Sequence, residues 1–260
     1  MTRKLPSDIV IGVLRSLPNY RSLSYLELGC GDGRLLETLS NEGAKTLGTT
    51  FYDKKEDYAR SRDYPEQLTV DKDVDLNAPL PYAKESFDVV YSLEVIEHIE
   101  GHSNMISEAA RVLKPGGWFL LTTPNLHRLI SRFHFALCGV HLVKERRPPY
   151  SVPPKRMGEF HVRCPDFPLL HWLMWQSGLR IEALEYEYVH PLSRAMMVLS
   201  PFLGLFTNFG LRWYQRPGEE VDDAVDDLKK WMNSRVLLTS ERICLLARKV
   251  PRGPESGTST

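Results

Sequence analysis

The amino-acid sequence predicts an α/β fold, a doubly wound and mostly parallel sheet covered by helices. Two observations carry this. Short apolar runs alternate with helix-periodic segments through the first half of the chain, the pattern that right-handed strand–helix–strand crossovers leave in a sequence. The 260 residues, 42% apolar and 25% charged, are also enough for one large globular domain and are not the composition of a disordered chain. No internal repeat is visible.

The opening MTRKLPSDIVIGVLRSLP is basic, but Asp8, Gly12 and Arg15 interrupt its apolar run, so it reads as an amphipathic helix and not as a signal peptide. SYLELG (24–29) is a buried-strand run stopped by Gly-Cys-Gly-Asp-Gly, and RLLETLSNEG then reads as a helix ending at Gly43. A strand over 46–50, a charged helix over 54–64 and a weaker strand over 68–71 lead into the loop DLNAPLPYAKES. FDVVYSL (87–93) is a strand, 102–113 a helix ended by Lys-Pro-Gly-Gly, and WFLLTT (118–123) a further strand.

Beyond Pro124 the pattern loosens. LHRLISRFHFALCGVHLV is compatible with a helix, RRPPYSVPPKRMGEF is a Pro-rich loop, and DFPLLHWLMWQSG (166–178) is a helix stopped at Gly178. RIEALEYEY (180–188) alternates as a half-buried strand should. HPLSRAMMVLSPFLGLFTNFGLRWY is apolar but broken by Pro201, Gly204 and Gly210; EEVDDAVDDLKKW reads as a solvated helix face. RVLLTSERICLLARK reads as a closing antiparallel pair or one long edge strand, and PRGPESGTST as a disordered tail.

Basic and acidic residues balance at 33 each, which argues against a chain built to coat nucleic acid. The distribution is uneven. Residues 127–163 hold eight basic side chains (Arg128, Arg132, Lys144, Arg146, Arg147, Lys155, Arg156, Arg163) against Glu145 and Glu159, a patch suited to an anionic partner or simply to solvent. Cys30, Cys138, Cys164 and Cys244 lie far apart with no C-x-x-C pair, which fits neither a zinc ribbon nor a disulfide scaffold and makes a reducing cytoplasm the expected setting.

The most informative segment is Glu27-Leu28-Gly29-Cys30-Gly31-Asp32-Gly33, which leaves a strand and opens a helix. Its alternate glycines let the backbone turn sharply and approach a ligand closely. The third glycine of the dinucleotide spacing is absent, and Glu27 sets a carboxylate at the strand end, where it favours a cationic group over a pyrophosphate. With DLNAPLPYAKESFDVVYSLEVIEHI and RVLKPGGWFLLTTPN in order behind it, the chain resembles the class I S-adenosylmethionine-dependent methyltransferases, closely over 20–126 and loosely over 159–188 and 236–249. Within them it looks most like the bacterial group acting on small molecules, quinone or lipid precursors and glycan intermediates.

That resemblance implies a Rossmann-like, doubly wound seven-stranded sheet of order 3-2-1-4-5-7-6, its last strand antiparallel, in one domain over 1–250. The core would be 20–126 with 178–249, and an inserted helical lid would occupy 126–178 and 190–217. It implies S-adenosyl-L-methionine as cofactor, with Glu27, Gly29 and Gly31, and Cys30 between them, at its methionine portion. Asp75 and Leu76 would hold the adenine, and Leu93 and Glu94 would line the pocket. The family usually ends its second strand with an acidic residue for the ribose hydroxyls; here Thr50 stands there, with Asp53 three residues on. A charged acceptor contributes roughly 1.5–3 kcal/mol against about 1 for a neutral one, so Thr50 alone implies about tenfold weaker binding unless Asp53 reaches back.

Methyl transfer needs an in-line nucleophile and a destination for its proton, for which His98, His127 and His161 are the candidate bases. Glu94, Glu97 and His98 at helical spacing share one face and form a candidate Mg²⁺ site with His161 as a distant fourth ligand; the alternative is that the two acids cap a helix and His98 packs beneath the cofactor. The aromatics Phe133, Phe135, Trp172, Trp175, Phe202, Phe206, Phe209, Trp213 and Tyr214 lie in the substrate-selecting region, either buried in a helical lid or resting on an anionic membrane face. The reading is a methyltransferase acting on an oxygen of a small, lipid-linked or glycan-related acceptor, with nucleic acid not expected as a partner and the oligomeric state left open. The rivals are a noncatalytic S-adenosylmethionine-binding relative, motivated by Thr50, and a nicotinamide oxidoreductase, motivated by the glycine loop alone.

Overall fold

A computed structural model describes residues 6–51, 64–142, 161, 163–186, 189, 191–212 and 222–250. Most of the charged helix expected over 54–64, most of the Pro-rich loop and the terminal tail lie outside those residues, as do Asp53, Trp213 and Tyr214. Seven strands form one sheet: β1 (Ser24–Glu27), β2 (Lys45–Thr50), β3 (Val70–Lys72), β4 (Phe87–Leu93), β5 (Leu113–Pro124), β6 (Leu179–Tyr186) and β7 (Arg242–Lys249). Their order is β3-β2-β1-β4-β5-β7-β6, parallel from β3 to β5, with β7 antiparallel to both of its neighbours. This is the expected order.

Period-two alternation along the central strands divides the core. Tyr25, Val89, Tyr91, Leu120 and Cys244 face α1 (Pro6–Ser16), whose Val10, Leu14 and Leu17 recur at helical spacing. Leu26, Val90, Phe119, Leu121 and Leu245 face the other way, onto α3 (His102–Val112), α5 (Phe167–Gln176) and α8 (Asp222–Met232). The helix expected over 166–178 is capped by the Asp166 carboxylate, which accepts from Leu169 N at 2.8 Å. Its Phe167, Leu170, Leu173 and Met174 are buried in the main core.

The tail of the domain departs from expectation. RVLLTSERICLLARK is neither a strand pair nor an edge strand: α9 (Arg235–Thr239), capped by the Ser234 hydroxyl, precedes β7, which lies between β5 and β6. The reason is in the residues. Cys244 feeds one core while Ile243, Leu245 and Ala247 feed the other, so this strand needs cover on both faces. The acidic segment is likewise more than a solvated face, since Trp231 and Met232 of α8 are buried and Asp227 accepts from the Trp231 indole at 3.1 Å.

The remaining helices are α2 (Arg34–Asn41), α4 (Leu129–Cys138), α6 (Pro191–Ala195) and α7 (Ser200–Arg212). Among the described residues no helix is long and apolar enough to cross a membrane. All four cysteines are free thiols.

The seam between α2 and β2 sets how closely the glycine loop sits on the sheet. A Cβ at Gly48 would lie 2.4 Å from Leu36 Cδ1 and 2.9 Å from Cys30 Sγ. Gly48→Ala is expected to destabilise by about 1–3 kcal/mol through overpacking. Gly12→Ala, in α1 with nothing within 4 Å of the new methyl, should leave stability unchanged or raise it by up to about 1 kcal/mol. Denaturant midpoints compare the two, and equal effects would contradict the tight seam.

Candidate active site

β1 ends in Glu27, and the chain turns through Leu28–Gly33 into α2. Gly29, Gly31 and Gly33 have φ of 75°, 54° and 73°, values that glycine alone adopts at no steric cost. The loop is tied to both neighbouring strands: Leu28 N donates to Tyr91 O at 2.8 Å, Cys30 N to Thr49 O at 2.8 Å, and Gly29 N to Thr49 Oγ1 at 3.1 Å. The glycines differ in what lies above them. A Cβ at Gly29 would strike Val95 Cγ2 at 2.6 Å, whereas nothing lies within 4 Å of one at Gly31. A Cβ at Gly31 would thus meet open space, while the Gly31 carbonyl accepts from the Tyr64 hydroxyl at 2.9 Å. The Cys30 side chain turns into a small core with Leu36 and Leu68, and burial pushes its thiol up to about 12.

Glu27 is buried beneath this loop. The Tyr91 hydroxyl donates to Glu27 Oε2 at 3.0 Å, yet burial pushes the carboxyl up to about 8, and no cation among the described residues offsets it. A buried carboxyl without a counter-charge is a ready partner for a cationic ligand group. Thr50 closes β2 as a buried neutral side chain, with its carbonyl accepting from Val74 N at 3.1 Å. Asp75 Oδ1 accepts from Asn77 N at 2.8 Å and Nδ2 at 2.9 Å, while Asn104 Nδ2 donates to Leu76 O and Ala78 O. The expected adenine loop is thus held rigidly against α3. Leu93 is half-buried, and the Glu94 N–H is taken by Thr122 Oγ1 at 3.1 Å, so it is not free to face a ligand.

The expected face of Glu94, Glu97 and His98 does not form. Glu94 adopts φ 52°, and Ile96–His98 is a single 3-10 turn, so the three residues do not follow helical spacing. Glu94 Oε2 is paired instead with Arg242 Nε. The group that does converge is Glu97, His98 and His161, whose ligand atoms lie within 4.8 Å of one another. His161 Nε2 is 3.9 Å from Glu97 Oε1, and the two imidazoles meet edge to face at 4.9 Å. Burial, and then the neighbouring Glu94, push the Glu97 carboxyl well above the usual carboxylate range. One carboxylate and two imidazoles suit Zn²⁺ or a similar transition ion; Mg²⁺ prefers oxygen ligands in an octahedron, and this set departs from it.

His161 also lines a cavity with Asn125, Arg128, Glu241 and Arg242, at the C-terminal end of β5 where α/β sheets place their ligands. Asn125 fixes this corner, its Nδ2 donating to Leu237 O at 2.7 Å and Ser240 O at 2.9 Å. His127 stands apart in the approach to α4, its imidazole pushed down to about 3 by burial and by Arg132, and hence neutral. The structure therefore brings together His98 and His161 and leaves His127 out. Sequence reasoning singled out Arg128 only as part of the basic patch and missed Tyr91, Asn125 and Arg242; Tyr91 and Asn125 lie inside quoted motifs, whereas nothing near Arg242 carried a signal.

Residues 26–121 match the family model described as a methyltransferase domain. The chain is 29% identical over 124 residues to a ubiquinone biosynthesis O-methyltransferase of Burkholderia vietnamiensis, covering 47% of this chain and 53% of that protein. To the same-named protein of Coxiella burnetii it is 26% identical over 170 residues, covering 64% and 68%. The match thus spans about half to two thirds of these relatives. Among solved structures, an S-adenosylmethionine-dependent methyltransferase of Mesorhizobium loti is 19% identical with a TM-score of 0.51, covering 91% and 96% of the two chains. Phosphoethanolamine N-methyltransferase 2 of Haemonchus contortus, solved with S-adenosyl-L-methionine, is 16% identical with a TM-score of 0.51, covering 94% and 52%. Residues 26–121 thus match a methyltransferase domain, and the chain has the fold of class I S-adenosylmethionine-dependent methyltransferases.

Glu27 makes cofactor affinity depend on pH in a defined direction. Its carboxyl is largely protonated at pH 7 and ionises when a cationic ligand binds, so binding releases a proton. Affinity for S-adenosylhomocysteine should rise between pH 6 and 8, by at most about tenfold per unit. Calorimetry in buffers of different ionisation enthalpy should detect the released proton, and Glu27→Gln should lose both the proton and the slope. A slope that survives in the variant counts against this role.

Proposed function

We propose that this chain transfers a methyl group from S-adenosylmethionine to an oxygen of a small acceptor, lipid-linked or glycan-related. The observation that carries the reading is the Glu27 carboxyl, buried with no cation among the described residues beneath a loop of left-handed glycines. It suits the cationic methionine end of the donor, and it has no use for a nicotinamide dinucleotide's pyrophosphate. The relatives named for O-methylation in ubiquinone biosynthesis favour oxygen as the methylated atom.

The donor supplies an electrophilic methyl on a sulfonium, and the protein supplies orientation and a proton path. Glu27 and the glycine loop fix one end of the donor. The acceptor enters the cavity lined by Asn125, Arg128, His161 and Arg242. As its hydroxyl oxygen forms the new bond to the methyl carbon, the proton passes to His161, backed by Glu97. In an alternative loading, Glu97, His98 and His161 hold a divalent transition ion that acidifies the hydroxyl, and His161 is then a ligand and not the base.

Incubation with isotopically labelled donor and fractionated cell extract should label a lipid or glycan fraction, and His161→Ala should reduce the rate by about 10²–10⁴-fold. Chelation separates the two loadings: unchanged turnover rejects the metal. Absence of label in every fraction, with donor binding intact, would support the noncatalytic reading.

A specific observation favours work at a membrane surface. Val198, Phe202, Leu205, Phe206 and Phe209 recur at helical spacing along the 3-10 turn Met196–Leu199 and α7, and the four α7 side chains are 61–68% exposed. Phe133, Phe135 and Leu137 of α4, which touches that turn, are exposed as well. Neither 126–142 nor 191–212 contains an acidic residue, and Arg194 is exposed. An apolar stripe with an exposed cation and no acid in the same segments suits an anionic bilayer interface. The protein should float with vesicles containing anionic lipid, and Phe202→Ser with Phe206→Ser should abolish flotation. If the wild type rises with neither anionic nor neutral vesicles, the surface has another purpose.

A further inference from the structure

We infer that the start of α4 is an oxyanion subsite of the acceptor pocket, so that the acceptor carries a phosphate or carboxylate group; this rests on the methyl-transfer reading. Some charges are left unbalanced by the fold. Arg111 pairs with Glu108, and Arg242 with Glu94, while Arg180 lies over the Trp175 ring and donates to the Trp175 carbonyl. Arg132 has no acid among the described residues. Its Nε donates to His127 O at 2.8 Å, its Nη2 is shut off from solvent without a hydrogen-bond partner, and burial alone acts on the guanidinium, lowering its pKa.

Arg128, four residues earlier and almost wholly buried, is only partly compensated. Nη2 donates to Leu142 O at 2.8 Å, Nη1 lies 3.7 Å from Glu241 Oε1, and Nε is buried without a partner. His127 Nε2 is a third buried atom without one. These three residues lie at the first turn of α4, where Arg128 as N-cap supplies no side-chain acceptor and the turn holds no acidic residue. Desolvating guanidinium N–H groups that lack an acceptor is unfavourable, and a ligand that brings the missing charge offsets the penalty on binding. Helix N-H groups and arginine together are suited to oxyanions. Arg128 lines the same cavity as His161, so the anion would be held beside the reacting hydroxyl and would orient it.

The test uses phenyl phosphate, benzoate and phenol as probes on the full-length protein, with and without S-adenosylhomocysteine, at matched ionic strength. Phenyl phosphate or benzoate should bind and raise the melting temperature, and phenol should not. Arg132→Gln should weaken anion binding by about 10–100-fold, the loss of a charge-assisted contact, and Arg132→Lys should recover part of it. Without ligand, Arg132→Gln should melt no lower than the wild type, because it removes a desolvated charge, which a purely structural arginine would not do. Arg132→Met serves as a second variant if Gln fails to fold. The inference is overturned if wild type and Arg132→Gln bind phenyl phosphate equally, or if the wild type binds neither anion. S-adenosylhomocysteine affinity should stay within about twofold in every variant; its absence in the wild type counts against the methyl-transfer reading and leaves the anion result standing separately. Flotation of Arg132→Gln with anionic vesicles separates a small soluble anion from a lipid headgroup.

Discussion

A carboxyl at the end of the first strand, held out of water with the Tyr91 hydroxyl as its hydrogen-bond partner, constrains much of the site around it. Glu27 lies where β1, β2 and β4 converge, and the loop above it must turn back over the strand ends. Three left-handed glycines make that turn, and Thr49 and Tyr91 fix it from either side. Any larger residue at Gly29 would collide with Val95, so the loop can neither rise nor slide. The result is a fixed loop over a carboxyl that burial keeps largely protonated at neutral pH.

The same logic recurs twice within the site. Glu97 is buried beside a second acid, and Arg132 is buried beside no acid. Each is unfavourable by itself, and under the functions proposed above each would be offset by a ligand of opposite charge: a cationic donor at Glu27, a cation at Glu97, an oxyanion at Arg132. Stability would thereby be exchanged for affinity, because the interaction that folding forgoes becomes available to binding. The three positions follow the C-terminal side of the sheet, from β1 through the turn after β4 to the helix after β5, where α/β sheets place their ligands.

Around that edge the chain is apolar where it faces outward. The phenylalanines of α4 and α7 (Phe133, Phe135, Phe202, Phe206 and Phe209) stay exposed. α5, from the same stretch, does pack inward, because its apolar residues are spread around the helix and find the core already formed by α3 and β6. One stretch of sequence thus supplies both core and surface.

The local signals were legible in the residues themselves. Glycine spacing specifies a loop whatever lies around it, alternation specifies strands, and the order of three motifs specified the sheet. Contacts between distant segments were not. Glu94 belongs with Arg242, 148 residues away, and His161 joins Glu97 and His98 across α3, β5 and α4. Helical spacing misassigned Glu94 because a single left-handed residue breaks the period, and no nearby residue announces that break. Likewise β7 reads as an edge strand until two separate cores claim its opposite faces. The sequence by itself determined the fold class and the cradle at Glu27, since both depend on neighbours in the chain. Tertiary structure decided which charges meet and which are left waiting, because burial and pairing are properties of the packed whole.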